Sequence, residues 1–235
     1  MWLFYTPDIN DDMELPQEEA GHCIRVLRMK EGDRLRLTDG KGAFYDAVIS
    51  AVSGKRCMVH VESKEVQEPL WTGHLHIAVA PTKLMERNEW FVEKSVEIGV
   101  DEITFLKTDH SERDVIKLER IEKIAVSAMK QSQKATLPVL NGMTTFRSFV
   151  ERGFKGDKFI AHCEPGNKVD LKDVIVPGND ALVLIGPEGD FSPAEIEMAL
   201  KAGFRPVSLG PSRLRTETAA LVAVHIMNLA GQSRE

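Results

Sequence analysis

Long apolar runs are missing from this chain. None approaches the roughly 20 residues that a helix needs to cross a bilayer, so no membrane span is expected. Cysteine is scarce: Cys23, Cys57 and Cys163 are odd in number and far apart, with no paired metal spacing. That excludes a disulfide framework and reads as free thiols in a reducing compartment. The opening residues, Met1-Trp2-Leu3-Phe4-Tyr5-Thr6-Pro7-Asp8, turn acidic at once and lack the basic-then-apolar pattern of a secretory signal. The expected location is cytoplasmic. Positive charge is outnumbered, with 30 Lys and Arg against 36 Asp and Glu and a net charge of -6. This argues against broad, non-specific nucleic-acid binding and leaves room for a local basic patch. Repeats and low-complexity segments are absent. So are a P-loop and a supported GxGxxG fingerprint, since no Gly-Lys-Ser/Thr follows a glycine loop.

What is present is ordinary globular material, 43% hydrophobic and 28% charged over 235 residues, enough for one large domain or two smaller ones. From about 18 to 66 the chain reads as short β-segments, with Leu35–Leu37, Tyr45–Ile49 and Cys57–Val61 separated by Asp39-Gly40, Lys41-Gly42 and Ser53-Gly54. Turn pairs at that frequency predict a small barrel or sandwich. Before them, residues 21–30 form a predicted short helix. With Arg34 and Arg36 it gathers five basic residues, Arg25, Arg28 and Lys30 among them, against only Glu31 and Asp33. These are either a solvated face with ordinary ion pairs or contacts to RNA phosphates.

Residues 62–73 are polar and aperiodic, contain Pro69, and mark a boundary between a domain at 1–70 and another at 71–235. Beyond it, strands and helices alternate, which implies a mostly parallel sheet covered on both faces. Strands are expected at His74–Ala80, Glu102–Lys107, Lys158–His162, Ala181–Ile185 and Arg205–Leu209. Pro138 interrupts a short extended segment. Helices are expected at Lys83–Ile98 (Leu84, Phe91, Ser95 and Ile98 inward, Gly99 closing it), Val115–Lys134, Thr145–Arg152 and Glu217–Ala230. The last is apolar on nearly every side and suits a core or a subunit interface. The most explicit local signal follows Ala181–Ile185: a break at Gly186-Pro187, then Ser192 as N-cap, Pro193 at the first helical position and Glu195 completing a capping box. His74 and His76 alternate on one strand face with no third ligand in view, so no metal site is expected; His162 and His225 read as packing or hydrogen-bonding residues.

Three loops follow strand ends in the second half: Ala161-His-Cys-Glu-Pro-Gly166, Ile185-Gly-Pro-Glu-Gly-Asp190 and Leu209-Gly-Pro-Ser-Arg-Leu-Arg-Thr-Glu-Thr218. Ligands of open α/β sheets sit beyond the carboxyl ends of the strands, and these loops suit one nucleoside-sized pocket. The second and third of them, continued through Glu195 and Ala219, resemble the signature of the 16S ribosomal RNA uracil-N3 methyltransferases of the SPOUT superfamily. His22–Asp33 resembles the start of that family's PUA-like RNA-binding domain; Glu93–Gly99 and Ala128–Gln133 resemble two internal patterns. Asp190 stands where a second glycine is usual, Ser212 where a bulkier aliphatic residue precedes Arg213, and Lys134 where arginine is common.

The resemblance implies a small PUA-like β-barrel followed by a trefoil-knotted α/β domain, a homodimer, S-adenosylmethionine as cofactor, and 16S ribosomal RNA or the assembled small ribosomal subunit as substrate. It implies cofactor contact at Glu164, Leu184, Gly186, Gly189, Leu209, Leu214 and Thr218, and RNA contact at Arg25, Arg28 and Lys30. Arg215, or else Arg213, would hold the uracil carbonyl oxygens as charge develops. Glu188 and Glu217 are candidate bases. Two alternatives stand beside this: a related methyltransferase acting at another RNA position, and an RNA-binding assembly factor without catalysis.

Overall fold

The computed structural model describes residues 1–232. The chain divides into two compact units. The first is Met1–Glu68 with Val126–Leu137; the second is Pro69–Ala125 with the chain from Pro138 onward. Residues 126–137, which the sequence places in the second domain, therefore belong with the first unit.

The first unit contains strands β1 (Leu3–Tyr5), β2 (Asp12–Glu14), β3 (Arg34–Thr38), β4 (Ala43–Ser53) and β5 (Arg56–Val66), in the order β1-β3-β4-β5-β2. β1 runs parallel to β3, and the other pairs are antiparallel. The three expected β-segments lie inside β3, β4 and β5, and β5 continues into the stretch expected to be a linker. β1 and β2 carry no such signal. Each is three residues long and pairs with a strand tens of residues away, Leu3 with Arg36 and Asp12 with His60. Phe4, Leu35, Leu37, Ile49, Cys57 and Val59 fill the core. Helix α1 (Gln17–Gly21) continues as a π-helical turn over His22–Val26. The helix expected at 21–30 thus starts and ends four residues early, because Pro16 opens it and Arg28 turns to a positive φ of 55°.

The second unit is built on seven parallel strands in the order β10-β12-β9-β11-β6-β7-β8. In chain order these are β6 (Leu75–Val79), β7 (Glu102–Lys107), β8 (Val139–Thr145), β9 (Asp157–Ala161), β10 (Val169–Asp170), β11 (Ala181–Ile185) and β12 (Arg205–Ser208). Helices α2 (Met85–Ile98), α4 (Phe146–Glu151), α5 (Leu171–Val174), α6 (Pro193–Lys201) and α7 (Thr216–Gly231) accompany them, and α3 (Leu118–Gln131) passes from this unit into the first. The parallel α/β expectation holds. β10 and α5 are too short to show a period.

β11 is central, flanked by β9 and β6, and all five of its residues are buried. Covered on both faces, it carries an unbroken apolar run, and each large aliphatic side chain so buried contributes about 1.5–3 kcal/mol. α2 turns Phe91, Val92, Ser95 and Val96 inward and ends at Gly99, where φ is 125° and an added Cβ would strike Trp71. Leu84 does not pack with that face; it precedes the helix and is exposed. α3 is shorter than Val115–Lys134, and Gln133 just beyond it has a φ of 54°. α7 buries Ala220, Ala223, Val224 and Met227 but leaves His225 and Leu229 exposed. No helix of the described residues is long and apolar enough to cross a membrane.

Candidate active site

All strands of the second unit's sheet point the same way, so the loops after β6, β7, β9, β11 and β12 leave one edge. The loop after β11 is set by the signals read from the sequence. Ser192 Oγ accepts from Glu195 N at 3.3 Å, Glu195 Oε2 accepts from Ser192 N at 2.9 Å, and Pro193 begins α6. Both glycines have an intramolecular reason. A Cβ at Gly186 would come 3.1 Å from Phe191 N, and one at Gly189 would come 3.1 Å from His110 Cβ. The left-handed residue of the loop is Asp190, with φ 63°.

That explains the departure at Asp190. A glycine would take this φ without strain, whereas aspartate tolerates it when its carboxylate bonds nearby backbone. Here Oδ1 accepts from Phe191 N at 2.8 Å and Oδ2 accepts from Cys163 N at 2.6 Å. The second bond clasps the loop after β9 to the loop after β11. Burial and the Asp190 charge push the Cys163 thiol above its usual pKa, while Arg213 and Lys168 pull it down. Arg213, in the loop after β12, acts on that thiol through its charge alone and forms no bond to Asp190 or Cys163 among the described residues. Lys168 Nζ donates to His162 O at 2.7 Å and Glu164 O at 2.8 Å, closing the 162–168 turn. Burial, then Lys168, holds the His162 imidazole below its usual pKa.

The expected site residues fall into three groups. Gly186, Gly189, Glu164, Leu209 and Leu214 lie on the converging loops, and Thr218 is in the first turn of α7. Leu184 is fully buried inside β11, with its side chain in a cluster with Phe191 and Ile196, so it supports the loop from below. Among the candidate catalytic groups, Arg215 is exposed at the N-cap of α7 and pairs with no carboxylate among the described residues. Glu217, a candidate base, is buried and lies 3.5 Å from Arg87 of α2. Glu217 Oε2 and His162 Nδ1 are both buried without a hydrogen-bond partner among the described residues. Glu188 is exposed, and its Oε1 accepts from Lys83 N at 3.1 Å. Ser212 is exposed, and nothing in the structure explains it.

A cavity of about 400 Å³ lies beside these loops, lined by His162, Glu164, Lys168, Ile196, Leu200 and Pro206 among others. It includes neither Gly186 nor Leu209, so it is a groove beside α6 that leaves out the loops after β11 and β12.

A fourth loop, Thr108–Arg113 after β7, gives no sequence signal because it lacks glycine and proline; the rule about carboxyl ends of strands would have found it. It locks onto the capping box. Asp109 N donates to Glu195 Oε1 at 3.0 Å, and Ser192 Oγ donates to Asp109 Oδ2 at 2.6 Å. His110 Nδ1 lies 3.0 Å from both Gly189 O and Asp190 O. Arg113 donates to Thr82 O and Lys83 O in the loop after β6.

In the first unit, Arg25, Arg28 and Lys30 are exposed and form no ion pair among the described residues. Arg34 and Arg36 differ: Arg34 pairs with Glu62 at 3.3 Å, and Arg36 with Asp46 at 2.8 Å and Glu65 at 3.1 Å. Among the described residues, the five-residue basic group of the sequence is therefore three free cations and two neutralised ones. At the opposite end of the second sheet, His74 and His76 meet Glu102, with His74 Nε2 2.9 Å and His76 Nδ1 3.6 Å from Glu102 Oε2.

A family model for an RNA methyltransferase domain matches residues 68–228, and one for an RNA methyltransferase PUA domain matches residues 15–62. Ribosomal RNA small subunit methyltransferase E of Buchnera aphidicola is 32% identical over 92% of this chain and 89% of its own length. The chain belongs to that methyltransferase family. Among solved structures, a Porphyromonas gingivalis protein described as a probable rRNA-methyltransferase is 50% identical, with a TM-score of 0.93 over 98% of both chains. Ribosomal RNA small subunit methyltransferase E of Neisseria gonorrhoeae, solved bound to S-adenosyl methionine, is 27% identical, with a TM-score of 0.86 over 97% of both. In this methyltransferase the family-matched domain contains the loops after β9, β11 and β12, and the PUA match contains Arg25, Arg28 and Lys30.

Proposed function

We propose that this chain methylates N3 of one uridine in 16S ribosomal RNA, with S-adenosylmethionine as donor. The observation that carries the reading is the clasp of the loops after β9 and β11, where Asp190 Oδ2 accepts from Cys163 N at 2.6 Å, in a chain whose relatives are named small-subunit methyltransferases. The residues fit the cofactor. Two buried atoms without a hydrogen-bond partner among the described residues, His162 Nδ1 after β9 and Glu217 Oε2 in the first turn of α7, would receive its hydroxyl and amino groups. Glu164, Gly186, Gly189, Leu209, Leu214 and Thr218 would line it. When bound, its sulfonium supplies an activated methyl group, so the protein's task is mainly alignment.

N3 is hidden in a duplex, so the uridine must be unpaired or flipped out. Arg215, exposed and without a carboxylate partner among the described residues, is available to the uracil carbonyl oxygens. Arg25, Arg28 and Lys30 would bind RNA phosphates from the first unit. The reading includes the trefoil knot, work in the cytoplasm, and a homodimer. The dimer is supported by exposed Leu84, Trp90 and Leu229, apolar side chains at or near α2 and α7.

The test offers purified protein and S-adenosylmethionine either isolated small subunits or total transfer RNA as acceptor, with cofactor affinity measured by calorimetry. Incorporation into small subunits supports the reading. Incorporation into transfer RNA alone reassigns the substrate, and RNA binding without cofactor binding makes the chain an assembly factor.

A further inference from the structure

Methylating N3 releases one proton per turnover, because neutral N3 carries a hydrogen and no free lone pair. Neither acid singled out by the sequence is well placed to take it. Glu217 is buried against Arg87, and Glu188 has one oxygen held by the Lys83 amide. The loop after β7 offers a better group.

His110 is exposed at the tip of that loop, and its Nδ1 faces two carbonyl oxygens, those of Gly189 and Asp190. Carbonyls only accept, so Nδ1 must carry the hydrogen. In the neutral ring this leaves the lone pair on Nε2, which has no partner among the described residues. The ring rests on Gly189, where an added Cβ would come 3.1 Å from His110 Cβ. Its loop is fixed on both sides. Asp109 is tied to Ser192 and Glu195, Thr108 N donates to Ser111 Oγ at 3.0 Å, and Arg113 is tied to Thr82 and Lys83. Such a shell holds a side chain in one geometry, as proton transfer requires. The charged groups on the surrounding elements are Asp109, Glu112 and Arg113 on the same loop, Lys83 after β6, Glu188 and Asp190 after β11, and Glu195 in α6.

We propose that His110 is the proton acceptor of the reaction, with Gly189 O and Asp190 O orienting its ring so that Nε2 receives the N3 hydrogen. This rests on the N3 reading. As N3 bonds to the methyl carbon, the carbon–sulfur bond breaks with its electron pair left on sulfur, and the N3 proton passes to Nε2 and then to water. The free face of the imidazole is thus a site of general-base catalysis on a wall of the glycine loop.

The test is His110→Asn, which keeps an N–H near the position of Nδ1 and removes the base. Expected results are cofactor affinity by calorimetry within about twofold of wild type and turnover to 3-methyluridine lower by about 10²-fold. The acid limb of the pH–rate profile disappears, and free imidazole partly rescues His110→Ala. Independently of activity, ¹⁵N spectra of wild type without cofactor or RNA should show His110 in the Nδ1–H form. An Nε2–H tautomer, unchanged turnover in His110→Asn, or a loss confined to cofactor affinity overturns the proposal. Wild type that methylates RNA but never forms 3-methyluridine refutes the N3 reading instead.

Discussion

Asp190 can be dissected by three substitutions that separate backbone strain from side-chain bonding. The residue holds φ at 63° and accepts two backbone N–H bonds, from Phe191 at 2.8 Å and Cys163 at 2.6 Å. A bond to a charged acceptor contributes about 1.5–3 kcal/mol, and the left-handed conformation costs a residue with a Cβ about 1 kcal/mol or somewhat more. Asp190→Ala loses both bonds and keeps the strain, so it should cost about 2–4 kcal/mol at this half-buried site. Asp190→Gly loses the same bonds and sheds the strain, so it should be about 1 kcal/mol more stable than the alanine variant. Asp190→Asn keeps one acceptor oxygen and should fall nearest wild type. Urea unfolding followed by the fluorescence of Trp71 and Trp90, both in the second unit, reads the differences as midpoint shifts at constant slope. An alanine variant as stable as wild type would show that the clasp contributes nothing; one as stable as the glycine variant would show that the left-handed backbone carries no strain.

Three further outcomes follow from the same geometry. His76 is 5% exposed, and burial holds its pKa at about 4 against a reference of 6.5. The unfolded chain therefore takes up this proton first as pH falls. The His76 contribution is complete above 6.5 and lost progressively down to about 4, by about 3 kcal/mol for a shift of about 2.5 units. Glu102, held below its usual value by His74, His76 and Asn141 despite burial, adds an acid loss of its own. His76→Gln, which can still bond Thr104, should flatten the pH–stability curve in that window; an unchanged curve would refute the assignment. Ser192→Ala removes the cap of α6 and its bond to Asp109, and should lower stability by about 1–2 kcal/mol in the same urea assay. Replacing Arg25, Arg28 and Lys30 together by alanine should weaken RNA binding without destabilising the fold. It should make the salt dependence of binding shallower by about one unit for each phosphate no longer neutralised; an unchanged slope would place the RNA elsewhere.

Local chemistry is legible in the sequence and long-range pairing is not. Ser192, Pro193 and Glu195 announce α6 because a capping box needs only four consecutive residues. Ala181–Ile185 coincides with β11 because a strand buried on both faces is an unbroken apolar run, and Glu102–Lys107 coincides with β7, whose β-prone centre lies between two charged ends. β1 and β2 escape such a reading because three residues carry no period and their partners lie far along the chain. The membership of 126–137 in the first unit depends on bonds such as Thr38 Oγ1 to Ala135 O, which no pattern within α3 encodes. The glycines of 186–189 suggest space for a ligand, yet the nearest atoms to an added Cβ belong to Phe191 and His110. Asp190 makes sense only through its φ and its two bond partners.

The most direct test of the central claim is to supply S-adenosylmethionine with an isotopically labelled methyl group to the protein and small ribosomal subunits, then map the label in 16S ribosomal RNA by mass spectrometry. The account predicts label at a single uridine, on N3. Label on a ribose oxygen, or on any base other than uracil, would contradict it.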